Sequence, residues 1–142
     1  TTACGDDDDD DGGTGPNNTA TVRVVNNTGQ ALDFGTGGTF GATNSNVAFG
    51  ASSQCLEVPV GANGLTFRQN GQATTFTPAG FNGSALQAGG NYTVVISGTT
   101  GQYTANTFTN NYAGATATSG GVRVINATTG NTNYNLYVGT SG

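Results

Sequence analysis

The chain has 142 residues, of which 8% are charged and 34% are hydrophobic, and it contains 25 glycines but no His, Met or Trp. A length of this order corresponds to about one domain. The formal net charge of −5 comes almost entirely from one run of aspartates, so the rest of the chain is close to neutral. Arginines without any lysine form no basic patch, which argues against nucleic-acid binding. No apolar run approaches the roughly 18 residues of a transmembrane helix.

Residues 1–18 form an acidic, glycine-rich segment of low complexity. Such a segment cannot bury apolar surface by itself, so we predict a solvated spacer. Calcium takes about six to eight oxygen ligands, so the run is also a candidate site for calcium or another divalent cation, although it lacks the spacing of a calcium-binding loop. No other cofactor is expected. The candidate ligands are Asp6, Asp7, Asp8, Asp9, Asp10 and Asp11.

The two cysteines, Cys4 and Cys55, allow two interpretations. Residues 2–5, Thr-Ala-Cys-Gly, followed by an acidic spacer are typical of the cleavage box and tether of a bacterial lipoprotein, yet three residues precede Cys4. We favour a disulfide formed in an oxidising compartment, within one chain or between chains. An intrachain bond would close a loop of about 50 residues and stabilise the fold by roughly 4 kcal/mol. A buried free thiol is the remaining alternative for Cys55.

The start of the chain at Thr1, without Met, is typical of a processed secreted protein or of a trimmed chain. Together with the disulfide, it leads us to expect a secreted protein that is extracellular or on the cell surface.

Residues 19–112 alternate apolar and polar side chains, which predicts β-strands with one buried face. About eight short strands with turn signals between them are typical of a sandwich, so we predict an all-β, Ig-like antiparallel β-sandwich. The dipeptide Asn70-Gly71 is a strong hairpin signal. Asp33 is expected at a turn or a sheet edge. The strands are predicted at residues 19–26, 31–34, 47–49, 54–60, 65–69, 72–77, 83–87, 92–97 and 102–109.

The first strand is repeated near the end of the sequence. Residues 121–126 read Gly-Val-Arg-Val-Ile-Asn, against Thr-Val-Arg-Val-Val-Asn at 21–26, and each copy is followed by an Asn/Thr/Gly turn and a second short strand. We therefore divide the chain into the acidic segment (1–18), a sandwich domain (19–112), a linker of small residues (113–120) and a C-terminal strand pair (121–142).

A spare strand pair can add to the sheet edge of its own subunit as the last strands of one sandwich. It can also add to the sheet edge of a neighbouring subunit, and repeated head-to-tail addition then produces a filament. The residues predicted to be donated are Val122, Val124, Ile125, Tyr134, Leu136 and Val138.

The order of several motifs resembles a family of bacterial secreted or lipid-anchored β-sandwich domains of unknown function. Its members typically read Arg-Val-Val-His-Ala-Ser-Pro-Asp-Ala-Pro, then Val-Asp-Val-Tyr-Val, then a Val-Pro-Ala-Gly turn and an Ala-Gly-x-x-Tyr-Thr-Val segment. The His-Ala-Ser-Pro turn is replaced here by Asn-Asn-Thr-Gly. The matching stretches are Val-Arg-Val-Val-Asn (22–26), Leu-Asp-Phe (32–34), Val-Pro-Val-Gly (58–61), Ala-Gly-Gly-Asn-Tyr-Thr-Val-Val-Ile-Ser-Gly (88–98) and Asn-Leu-Tyr-Val (135–138). The resemblance implies a β-sandwich at a cell surface, often in tandem copies, with no active site to carry over.

Few side chains are suited to catalysis. The chain has no His or Lys, and its acids outside the aspartate run are Asp33 and Glu57. A Ser or Thr nucleophile would lack its usual base, so we predict that the protein is not an enzyme. Five Asn-x-Ser/Thr sequons are expected in so Asn- and Thr-rich a composition, and each is a candidate glycosylation site. They begin at Asn17, Asn26, Asn82, Asn91 and Asn126.

Two functions from different classes follow. The first is a non-enzymatic extracellular structural protein, the subunit of a pilus-like surface filament that self-assembles by donor-strand exchange, with other copies of the chain as partners. The alternative is a monomeric, lipoprotein-like binding module, tethered to the cell surface, whose loops hold a glycan or a protein. No aromatic stacking cluster for a glycan is identifiable in the sequence, and the tyrosines are expected to pack or to line strands.

Overall fold

A computed structural model of the protein describes Cys4, residues 18–110 and residues 124–126. The chain divides into two compact units, Thr1–Asn110 and Asn111–Gly142. The strands described below belong to the first unit. They are β1 (Thr19–Thr28), β2 (Leu32–Thr36), β3 (Thr39–Phe40), β4 (Leu56–Pro59), β5 (Leu65–Gln69), β6 (Thr75–Phe76), β7 (Asn91–Thr99) and β8 (Gln102–Thr109). No helix in these described ranges is long and apolar enough to cross a membrane.

These strands form two four-stranded sheets. Sheet A has the order β4-β1-β7-β8, and sheet B has the order β3-β2-β5-β6. Every second residue of β1, from Ala20 to Thr28, is buried, as the period of two in a strand requires. β1 pairs antiparallel with β4 and parallel with β7, whereas β7 and β8 pair antiparallel along β8. Because β7 has a neighbour on each side, it is a central strand, as predicted.

Sheet B is shorter and ends in two edge strands of two residues each, β3 and β6. Phe34 of β2 lies opposite Phe67 of β5, which in turn lies opposite Phe76 of β6. The core lies between the two sheets: the valines of β1 and β7 pack against the aromatic rings of β2 and β5. Short edge strands leave few unpaired backbone groups, which limits edge-to-edge association through this sheet.

The predicted all-β sandwich is confirmed, and β1 with β7 is the only parallel pair among the strands named above; every other pair of these strands is antiparallel. The strands predicted at 65–69 and 102–109 have the predicted bounds. β1 extends two residues past the predicted end because Asn27 and Thr28 continue the pairing with β7, opposite Ser97 and Gly98.

Four predicted strands are wrong or too long. The strand predicted at residues 54–60 covers only Leu56–Pro59. Residues 83–87 form the short 3-10 turn Gly83–Ala85, since Asn82 caps the Ser84 N–H. Residues 47–49 make only an isolated bridge between Val47 and Leu32. The partner of the Asn70-Gly71 hairpin is only Thr75–Phe76 long. In the last three cases the alternation was too short to distinguish a strand from a turn.

Candidate functional site

Two hairpins of the sandwich, one from each sheet, meet at one end and enclose a groove with a volume of about 530 Å³. We call it the hairpin-tip groove. It lies between the β5–β6 turn of sheet B and the β7–β8 turn of sheet A. Its lining residues are Gln69, Gln72, Thr74, Thr75, Phe76, Thr77, Ala79, Thr100, Gly101, Gln102 and Tyr103. A cavity of this volume is in the range of small-molecule sites in proteins, about 300–1,000 Å³.

Local turn chemistry positions both sides of the groove. In the β5–β6 turn the Gln72 N–H donates to the Gln69 carbonyl (3.1 Å), and Gly71 has φ +78°. The β7–β8 turn has only two residues between the paired Thr99 and Gln102. These are the tight turns that glycine in the left-handed region favours, so the turn residues determine the two hairpin tips that border the groove.

The segment around Ala79, which follows β6 and lies next to β8, also lines the groove. The Ala79 N–H donates to the Tyr103 carbonyl (2.9 Å), and the Ala79 carbonyl accepts from the Ala105 N–H (2.8 Å). Ala79 is thereby fixed along the edge of β8 in a parallel bridge. These two hydrogen bonds also satisfy backbone groups that an edge strand would otherwise leave open.

The floor of the groove is aromatic. The rings of Phe76 and Tyr103 stack with centroids 4.4 Å apart at 26°, and Phe76 also lies 6.0 Å from Phe67 in the core. Tyr103 is 7% exposed, and Phe76 is half-buried. Aromatic stacking is favourable beyond simple burial. The floor is therefore continuous with the hydrophobic core and is held in place by it.

One polar contact crosses the floor between the two sheets. The Gln69 side-chain Nε2 donates to the Tyr103 hydroxyl at 2.6 Å. The Tyr103 hydroxyl keeps a proton to donate, and Gln69 keeps its carbonyl oxygen as an acceptor. The floor thus offers both kinds of hydrogen-bonding group beside an apolar surface, while the exposed Thr and Gln side chains of the rim offer more. None of the lining side chains carries a charge.

The charged residues of sheet B lie outside the groove. Asp33 was predicted at a turn or edge, and that prediction is wrong: it lies within the central strand β2 and is 1% exposed. Its carboxylate accepts from Arg68 Nε (2.8 Å), Asn70 Nδ2 (2.8 Å) and the Asn46 backbone N–H (2.9 Å). Burial raises the pKa of Asp33, but these hydrogen bonds and the Arg68 charge outweigh it and hold the pKa below its ordinary value.

The predicted disulfide is confirmed. Cys4 and Cys55 are bonded within the chain across 51 positions, and no free cysteine remains. The Asn91 side chain, at the start of β7, donates to the Cys4 carbonyl oxygen. Arg23 donates from Nη2 to the Cys55 sulfur (3.3 Å), while its Nε is buried without a hydrogen-bond partner in the described part of the chain. Cys4 is therefore fixed to sheet A where β7 begins.

The candidate glycosylation residues differ in accessibility. Asn26 is fully buried, and its Nδ2 donates to the carbonyls of Gln30 and Val47 at 2.8 Å, so the folded sandwich has no room for a glycan there. Asn82 is exposed, and its side chain caps the Ser84 N–H. Asn91 is half-buried, and Asn126 is exposed. Asn17 lies outside the described residues.

Other predicted site residues also lie outside the described part. All six aspartates of the predicted calcium site do, as do four of the predicted donor residues; they are Asp6, Asp7, Asp8, Asp9, Asp10, Asp11, Val122, Tyr134, Leu136 and Val138. Of the other two donor residues, Val124 is 59% exposed and Ile125 is half-buried. Where the chain is described, no three His, Cys, Asp or Glu side chains come together as a metal site.

Sequence reasoning missed the hairpin-tip groove. It located both turns and expected Tyr103 to pack, which is confirmed by its burial, but it found no aromatic cluster. The signal was present: Phe67 and Phe76 flank the Asn70-Gly71 turn, and Tyr103 follows the Gly101 turn. What the sequence did not contain was that the two hairpins come from facing sheets with their turns at the same end.

Comparison with known proteins identifies a family. A family model described as Domain of unknown function (DUF4397) matches residues 20–137. No curated protein is similar enough to match the chain. Among solved structures, the C-terminal domain of AlgF from P. aeruginosa is similar at 16% identity over 66% of this chain and 99% of that domain, with a TM-score of 0.40. A similarity that low carries no argument about function.

Proposed function

We propose that this chain, which belongs to the DUF4397 family of domains of unknown function, is a non-enzymatic extracellular binding module whose ligand site is the hairpin-tip groove. One observation carries the proposal: a cavity of about 530 Å³ has a preformed aromatic floor and a rim of uncharged hydrogen-bonding side chains. Such convergence of apolar and polar groups is typical of binding sites. The lining includes no carboxylate, imidazole or amine to serve as a catalytic acid or base.

The position of the disulfide supports the same proposal. Cys4 is held near Asn91, at the first residue of β7, whereas the groove lies beside the turn that follows Thr99, its last residue. Eight steps along a strand span roughly 25 Å. An N-terminal tether would therefore hold the sandwich at one end and present the groove at the other. A disulfide is also what an oxidising, extracellular compartment permits.

The experiment that tests this function is a ligand screen by ¹H–¹⁵N NMR on the full oxidised chain. The probes are four chemical classes: neutral oligosaccharides, anionic oligosaccharides, short peptides and nucleotides. We expect at least one class to shift the side-chain amide signals of Gln69, Gln72 and Gln102, with those of Asn63, in an exposed turn elsewhere, unchanged. If no class shifts the groove signals, the groove is not a ligand site.

The second candidate is the self-assembling filament subunit, and one observation favours it. Val24 in the first copy of the repeated sequence is fully buried, whereas its counterpart Val124 is 59% exposed. An apolar side chain that is a core residue in one copy and exposed in the other is available to enter another subunit's sheet. The contact would be head-to-tail, and it would propagate.

Deletion of residues 117–142 tests the filament. If the strand pair is donated, negative-stain microscopy shows fibres for the full chain and only monomers for the truncated one. Val124→Asp is the milder variant, and it also abolishes fibres because a charge on a donated strand is costly to bury. Fibres that persist unchanged in both variants would exclude strand donation. If calcium on the aspartate run supports assembly, a chelator weakens the fibres; unchanged thermal stability in chelator would remove that prediction.

A further inference from the structure

We infer that the hairpin-tip groove binds a short neutral oligosaccharide, a ligand class that rests on the groove being the functional site proposed above. The inference comes from three properties of the lining: its lack of charge, its mixture of donors and acceptors, and its aromatic floor. Each property narrows the range of ligands in a different way.

The lack of charge in the lining argues against ionised ligands. The side chains that line the groove are Gln, Thr, Ala, Gly, Phe and Tyr, so none can neutralise an ionised ligand. The charge of the nearby Arg68 is already paired with Asp33, on the outer face of sheet B. Moving an anion or a cation from water into a site without a counter-charge is costly. Phosphate-bearing and carboxylate-bearing ligands are therefore disfavoured.

The rim selects for hydroxyl groups. Thr74, Thr75, Thr77 and Thr100 each carry a hydroxyl that both donates and accepts, and Gln72 and Gln102 each carry an amide that does the same with separate atoms. A sugar hydroxyl also donates and accepts, so a ring bearing several of them can pair with many such groups at once. These side chains are exposed, so water mediates further contacts at little cost.

The floor provides the apolar part of sugar recognition. A sugar ring has one face of C–H groups, and the electron-rich face of an aromatic ring attracts such positively polarised hydrogens. Phe76 is half-buried and stacked on Tyr103, so part of its ring remains exposed at the groove. The Tyr103 hydroxyl and the Gln69 carbonyl lie beside it.

An extended peptide is the competing ligand, and the groove fits it less well. Peptides usually bind a β-sandwich by adding a strand to an open edge. The edge strand that lines the groove, β6, has only two residues, and the β8 edge next to it is occupied by Ala79. Main-chain hydrogen bonding in series is therefore not available at this site.

The test is isothermal titration calorimetry of the full oxidised chain with defined probes. These are neutral hexasaccharides of glucose, xylose and N-acetylglucosamine, an anionic oligogalacturonate, and a proline-rich decapeptide. We expect saturable binding of at least one neutral hexasaccharide, with no heat of binding for the anionic probe.

Sheet B supplies a matched pair of variants, because its two edge strands carry the same dipeptide: Thr39-Phe40 in β3 and Thr75-Phe76 in β6. Phe76→Leu keeps an apolar side chain but removes the ring, and we expect roughly tenfold weaker binding. Thr75→Ala removes one hydroxyl, with roughly fivefold weaker binding. The controls Phe40→Leu and Thr39→Ala leave affinity unchanged, and thermal unfolding verifies that each variant is folded.

The outcomes separate the inference from the function on which it rests. Neutral-sugar binding that weakens in the β6 variants and not in the β3 variants supports the inference. Binding of the anionic probe or of the peptide at the groove overturns the inference that the ligand is a neutral sugar. The proposed function as a binding module then still stands. Neutral-sugar binding that is equally tight in both β6 variants overturns the inference, because the ligand then lies elsewhere. If no probe class binds at the groove, both the neutral-sugar inference and the proposed binding function are overturned.

Discussion

At the scale of single residues, buried polar side chains determine how distant parts of the sandwich meet. Asn26 is fully buried and uses all of its hydrogen-bonding capacity: it donates to the carbonyls of Gln30 and Val47 and accepts from the backbone and hydroxyl of Thr28. It therefore joins the end of β1, the turn to β2 and the loop around Val47. From the sequence alone the same Asn is the last residue of a predicted strand and a candidate glycosylation site, because partners 21 positions away are not visible in a local pattern.

Asp33 is a buried charged residue that also joins residues distant in sequence, and its contacts support a prediction. Asp33→Asn keeps the shape but replaces one oxygen with an N–H group that faces the Arg68 Nε donor, so it leaves two donors without an acceptor in a site that is 1% exposed. We expect it to lower the free energy of unfolding by about 3 kcal/mol at neutral pH. Urea denaturation measures the change. The control is Glu57→Gln on the exposed face of β4, where we expect a change below about 0.5 kcal/mol.

The lowered pKa of Asp33 also predicts a pH dependence with a definite sign. Folding stabilises the ionised form, so the contribution is fully present above the unfolded pKa of about 3.9 and is lost as the pH falls through the folded pKa. The stability difference between the wild type and Asp33→Asn should therefore be constant at neutral pH and shrink in acid below about pH 4. A difference that stays constant to pH 2 would contradict the lowered pKa.

At the scale of elements, the β7–β8 hairpin requires a glycine at position 98. Gly98 has φ +107°, and a Cβ at this position would lie 2.2 Å from the Gln102 carbonyl oxygen. It pairs with Tyr103, so any shift here also moves the floor of the groove. We expect Gly98→Ala to cost about 2 kcal/mol or more, because both the backbone conformation and the contact are unfavourable for a side chain.

The matched control for this hairpin is Gly29→Ala, since Gly29 has open space around its Cβ position and no positive φ. Differential scanning calorimetry of the two variants should show a clear loss of melting temperature for Gly98→Ala and almost none for Gly29→Ala. Equal melting temperatures would mean that the hairpin adapts to a side chain at position 98, and the floor would then be less rigid than the stacked rings imply.

Much of the element order could be predicted from the sequence, for identifiable reasons. The strands with several alternating apolar residues, such as Leu65–Gln69 and Gln102–Thr109, were predicted with correct bounds. The parallel pairing of β1 with β7 could not be predicted, because no local signal says which strands become neighbours. The groove could not be predicted for the same reason: its two hairpins are local features, and their meeting is not.

At the scale of the whole molecule, the disulfide and the groove lie at opposite ends of the sandwich. The disulfide holds Cys4 beside the start of β7, and the groove lies beside the opposite end of the same strand. If the two ends act independently, the bond contributes stability without shaping the site. This leads to a prediction about the oxidised and reduced forms of the full chain.

Reduction of the Cys4–Cys55 bond should lower the free energy of unfolding by roughly 4 kcal/mol, because it opens a loop closed across 51 positions in the unfolded chain. For a chain of this length that corresponds to a melting temperature lower by roughly 10 °C, measured by calorimetry with and without reductant. The control is the double variant Cys4→Ser/Cys55→Ser, whose melting temperature should not respond to reductant. Binding at the groove, measured well below that temperature, should be the same in both forms, since the aromatic floor and the Gln69–Tyr103 contact do not touch the bond. An equal melting temperature for the two forms would contradict the first expectation, and loss of binding in a reduced but folded protein would show that the two ends of the sandwich are coupled.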